Sequence, residues 1–67
     1  MDLYKIVDAQ FRKHYYEDTD VFEKYWKFHH RFWQQCKDVF PYGICAYKCV
    51  PSVSGQSISW KEIRRVP

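Results

Sequence analysis

Apolar residues recur at helical spacing from the start of the chain. Leu3, Ile6, Val7, Phe11 and Tyr15 share one face with Tyr4, Gln10 and His14, while Lys5, Arg12, Lys13 and Tyr16 lie opposite. This pattern predicts an amphipathic helix over residues 3–16. A polar break follows at Glu17, Asp18, Thr19 and Asp20. Asp20 and Glu23 have the spacing of a capping box, and acidic residues suit the positive end of a helix dipole. Beyond them Val21, Phe22, Tyr25, Trp26, Phe28, His29, Phe32, Trp33, Cys36, Val39 and Phe40 fall within an arc of roughly 160°. Polar residues fill the rest of the circumference, so a second helix is expected over residues 20–40, stopped by Pro41 and Gly43.

The period changes at Ile44. Residues 44–50 form a short β-leaning run between Gly43 and Pro51, residues 51–56 read as a turn, and Ser57, Ile58, Ser59, Trp60 and Lys61 alternate polar and apolar. A C-terminal β-hairpin over 44–50 and 57–63 is the preferred reading. Its rival is a short terminal helix, in which Ser59 and Glu62 cap a run carrying Trp60, Ile63 and Val66. The expected fold is therefore α+β: two antiparallel amphipathic helices followed by a hairpin, in one domain spanning residues 1–67.

Size sharpens this picture. The chain has 67 residues, including three Trp, six Tyr and five Phe. A domain this small buries only about 60% of the surface its unfolded chain exposes, so large rings must carry much of the core. No apolar run is long enough to span a membrane, and the first residues lack the basic start and apolar run of a secretory leader. The odd number of cysteines (Cys36, Cys45 and Cys49) favours reduced thiols in a cytosol-like compartment. The net charge of +3 is mild, and its excess sits on Lys48, Lys61, Arg64 and Arg65 in the last third.

Candidate chemistry is sparse. The acidic break lacks the turn glycine and distal glutamate of a calcium loop. His29 and Cys36 share a helix face but lie roughly 10 Å apart along the axis, too far for one zinc ion. Cys45 and Cys49 are about 13 Å apart in a strand, and only a helical turn there would bring them together with Cys36 into a thiolate site. In an antiparallel helix pair His29 lies level with Val7 or Asp8 and His14 nearer Phe22 and Tyr25, so the two histidines are not expected to meet. Cys36, His29 and Asp8 are the residue types of a nucleophilic site, but no spacing singles them out. No enzyme, metal or cofactor is expected.

Binding is the remaining class. Eight of the fourteen aromatics lie between Phe22 and Tyr42, more than one short helix and a hairpin can cover. Either the Phe22/Trp26/Trp33 edge or the Phe28/Phe32 edge of the second helix stays open. Trp, Tyr and Arg dominate interface hot spots. The expected function is thus a small non-enzymatic intracellular binding protein, docking Trp26, Trp33 and Arg31, with Phe22 and Tyr25, on a larger protein or on a second copy of itself. Chains of this size are common as regulators or inhibitors, phage- and virus-encoded ones included. The alternative is a nucleic-acid-binding regulator using Lys48, Trp60, Lys61, Arg64 and Arg65.

Overall fold

In the computed structural model, which describes residues 2–51, 55 and 57–67, one helix lies on one face of a four-stranded antiparallel sheet. The strands are β1 (Tyr4–Val7), β2 (Lys13–Tyr16), β3 (Ile44–Pro51) and β4 (Ile58–Val66), and the helix α1 is Thr19–Cys36. The order across the sheet is β2-β1-β3-β4. The C-terminal segments do pair, with Ile44 opposite Val66 and Pro51 opposite Ile58. They are half of a larger sheet rather than a hairpin set against two helices. The expected turn falls mostly on residues 52–54 and 56, outside the described residues. No described helix is long and apolar enough to cross a membrane.

The expected first helix is replaced by the β1–β2 hairpin, with Tyr4 opposite Tyr16 and Val7 opposite Lys13. Two facts favour strands. Residues 4–7 and 13–16 are rich in β-branched and aromatic side chains, and Tyr4 and Ile6 alternate with half-buried Lys5 and Val7. Between the strands Asp8 captures its own downstream backbone: its Oδ1 accepts from the Gln10 and Arg12 N–H groups at 2.9 Å each. A side chain bonded this way competes with helix and favours a turn. The turn closes with Asp8 N–H donating to the Arg12 carbonyl at 3.0 Å and with Phe11 at φ 65°. Helical spacing at Ile6, Val7 and Phe11 was therefore coincidental with a turn placed between them.

The helix itself is as amphipathic as its pattern predicts, but its ends differ. Asp18 rather than Asp20 is the N-cap, accepting from the Asp20 and Val21 N–H groups at 2.8 and 3.1 Å. Glu23 is thereby released to pair with Arg64. At the other end the helix stops at Cys36, and the Trp33 Nε1–H donates to the Phe40 carbonyl at 3.1 Å, folding the chain back.

The core is Tyr4, Ile6, Ala9, Phe22, Trp26, Ile44 and Ala46. Phe22 is 1% exposed and stacks on Tyr4 with ring centroids 4.4 Å apart. Full burial of one such ring is worth roughly 1.5–3 kcal/mol. Arg64 ties β4 to the helix by two bonds to Glu23, at 2.9 and 2.8 Å, and its guanidinium lies 5.5 Å from the Phe22 ring and 5.3 Å from Trp26. The β3–β4 register slips between Ala46 and Tyr47, leaving Ile63 without an opposite residue.

Two outcomes follow from this packing. Gly43 sits at φ +82°, and a Cβ there would run into the Val66 carbonyl and Pro67. Gly43→Ala should destabilise the fold by about 1–3 kcal/mol, read from its denaturation midpoint. The Arg64 hydrogen bonds and charge hold the Glu23 carboxyl below its ordinary 4.5. A lowered folded pKa contributes stability above the unfolded value that is lost as pH falls through the folded one. With both side chains partly exposed, Glu23→Gln should cost only about 0.5–1 kcal/mol at neutral pH. That difference from the parent should close as the pH is taken well below 4.5.

Candidate functional site

The helix presents three different environments around its circumference. Phe22 and Trp26 (6% exposed) point into the core, and Trp33 is half-buried, stacked on His30 with centroids 6.1 Å apart. Arg31 and Tyr25 are exposed. The open edge is the one carrying Phe28, 59% exposed, and Phe32. Tyr25 meets Phe28 edge-on at 6.5 Å, and Phe28 meets His29 edge-on at 5.3 Å. Asp20, Glu23, Lys24, Lys27 and Arg31 border Phe28 on its outer side. Two further exposed rings, Phe11 and Tyr42, touch each other at 5.3 Å.

Between this edge and the β1–β2 hairpin lies a cavity of about 250 Å³, lined by Asp8, Gln10, Arg12, His14, Phe28, His29 and Phe32. The topology that replaces the first helix brings His14 and His29 together, against the sequence expectation: their ring centroids are 4.6 Å apart. Alternation along β2 turns His14 toward the helix, directly opposite Ile6. Asp8 and His29 are 9% and 8% exposed. Asp8 Oδ2 lies 2.7 Å from His14 Nε2, and His29 Nε2 lies 3.5 Å from the Tyr16 hydroxyl. Burial pushes the Asp8 carboxyl up, but the bonds from His14 and from the Arg12 and Gln10 N–H groups outweigh it and hold it low. Burial, helped by His14, pushes His29 down against the opposing pull of Asp8. Cys36 is seven residues beyond His29, roughly 10 Å along the axis, so it does not join this group.

The sheet face turned away from the helix is a second surface. Strand alternation and register place Lys5, Val7, Lys13, Tyr15, Cys45, Tyr47, Trp60 and Arg65 there. The Lys5 ammonium sits 4.8 Å from the Tyr47 ring centre and 4.6 Å from that of Trp60, and Tyr15 lies 5.9 Å from Trp60. Of the expected basic set, only Trp60 and Arg65 are on this face. Lys48, Lys61 and Arg64 project on the helix side, where Lys48 lies 3.7 Å from Asp2 and Arg64 is held by Glu23. Arg65 pairs with Glu62. Cys36, Cys45 and Cys49 form no disulfide.

Sequence reasoning named His14, His29 and Asp8 but not as a group; it offered Tyr47 and Trp60 as stacking rings but passed over Lys5 and Tyr15 beside them. The signal for the first was Asp8 at the end of one alternating run and His14 inside the next, a hairpin spacing that the helical periodicity masked. The chain matches no protein-family model, no curated protein and no solved structure.

Proposed function

We propose that this chain is a small non-enzymatic binding protein that docks the Tyr25–Phe28–Phe32 flank of its helix on a larger protein. One observation carries the reading: six of the fourteen aromatic rings (Phe11, Tyr15, Tyr25, Phe28, Phe32 and Tyr42) are exposed, and three of them line one helix edge. Exposed apolar patches rimmed by polar groups mark contact sites on small proteins. Lys24, Lys27 and Arg31 beside Phe28 suit a partner whose apolar socket is rimmed by carboxylates. Trp26 and Phe22 support this flank from the core rather than touching the partner. In the same reading the protein acts as a regulator or inhibitor in a cytosol-like compartment, and its size suits a phage- or virus-encoded chain. A second copy of the chain is the other occupant the flank could take.

A second reading, nucleic-acid binding, is favoured by the open sheet face. Lys5 between the Tyr47 and Trp60 rings, with Tyr15 adjoining, has the makeup of a base-stacking platform with cations at hand for phosphate.

The two readings separate by mutation and salt. In affinity capture from the source cell, with capture repeated at rising salt, the retained protein should be lost with Phe28→Ser/Phe32→Ser and kept with Trp60→Ala. Purified, the double variant should bind that partner at least tenfold more weakly, about 1.4 kcal/mol or more. Retention that survives the helix change but vanishes with Trp60→Ala and with salt would transfer the function to the sheet face. Concentration-dependent mass in ultracentrifugation, abolished by the helix change, would make the partner a second copy.

A further inference from the structure

We infer that Asp8, His14 and His29 bind one divalent transition-metal ion of the zinc class. The three come from β1's end, β2 and α1, yet one ligand atom from each lies within 4.8 Å of the other two. A tetrahedral ion with ligands at about 2.0–2.2 Å holds those ligands about 3.3–3.6 Å from one another. The closest pair here, Asp8 Oδ2 and His14 Nε2, is 2.7 Å apart, and the widest separation is no more than 4.8 Å. Side-chain rotations on the order of 1 Å would close a site of that size without moving the backbone.

Each donor is prepared for this role. Asp8 keeps Oδ1 occupied by the Gln10 and Arg12 N–H groups, which fixes its orientation and leaves Oδ2 toward the imidazoles. Such outer-shell bonds orient metal-binding carboxylates. His14 Nε2 now donates its N–H to Asp8 Oδ2; on metal binding that position gives up its proton, the ring keeps one on Nδ1, and the freed Nε2 lone pair turns to the ion. The nearest hydrogen-bond partner of His29 Nε2, the Tyr16 hydroxyl, is at the long limit of a hydrogen bond. Two imidazoles with one carboxylate suit zinc, cobalt or iron rather than calcium or magnesium, which take oxygen. The adjoining cavity of about 250 Å³ leaves room for a water as a fourth ligand. Arg12 lines that cavity as well, but its side chain is exposed and solvent screens its charge. Cys45 shares the opposite face of the sheet with its neighbours Val7 and Arg65, so thiolates take no part.

The test is titration of the reduced, chelator-stripped full chain with Co²⁺, then Zn²⁺. The expected result is one equivalent bound, a visible cobalt band of nitrogen and oxygen ligation without thiolate charge transfer, and displacement by Zn²⁺. Ring nitrogen resonances of His14 and His29 should shift in NMR spectra while those of His30 stay. Asp8→Asn and His14→Gln should each weaken binding at least tenfold, and the Cys36→Ser/Cys45→Ser/Cys49→Ser variant should bind as the parent does. Asn at position 8 retains the oxygen that accepts the turn's N–H groups, and His14 is partly exposed, so both variants should fold, as circular dichroism would verify. Absence of a cobalt band, uptake unchanged in His14→Gln, or loss of uptake in the cysteine variant would overturn the site.

Discussion

One contact organises this protein: Phe22 and Trp26 of a single 18-residue helix pressed onto Tyr4, Ile6, Ile44 and Ala46 of the sheet. None of the four strands is stable alone, and a two-stranded hairpin is marginal in water. Burying one shared apolar face is what lets them persist together. Arg64 completes the seal, with its guanidinium against the two rings and its charge on Glu23. The helix extends about 27 Å at 1.5 Å per residue, against a molecule 43 Å long, so it cannot enclose the whole.

What remains uncovered follows from that geometry. A one-helix layer leaves the far face of the sheet to solvent, and there Lys5 supplies a cation between aromatic neighbours. Turning Trp26 inward turns Phe28 and Phe32 outward, since an arc of roughly 160° exceeds the stripe one sheet face can hide. The helix edge meets the β1–β2 hairpin at Asp8, which performs two tasks at once. Its Oδ1 shapes the turn that makes the hairpin, and its Oδ2 holds His14 beside His29. Local structure and candidate chemistry therefore depend on the same carboxylate.

Much of the middle of the chain was legible in advance. The period from Val21 to Cys36 is strong because helix and burial agree there, and the run from Ile44 is bounded by Gly43 and Pro51. Two places misled. At Leu3–Tyr15 a turn inserted between two short strands mimics helical spacing, and what distinguishes the two is the β-branched and aromatic content of the flanking residues together with the competition of Asp8 for backbone N–H groups. At Asp20 a capping-box spacing was present, but Asp18 offered a cap two residues earlier and Arg64, 41 residues on, claimed Glu23. Long-range pairing of this kind leaves no local trace. The Asp8, His14 and His29 grouping was hidden for the same reason, since it exists only once residues 4–16 are a hairpin and that hairpin faces the helix.

The most direct measurement is solvent paramagnetic relaxation of assigned aromatic protons in the dilute protein, with a soluble gadolinium chelate. Strong enhancement at Phe28, Phe32, Phe11 and Tyr42, together with protection of Phe22 and Trp26, is the pattern a lone helix on a single sheet requires. Equal protection of Phe28 and Phe32 in a monomer would contradict it, because those rings would then already have the cover that a partner is proposed to provide.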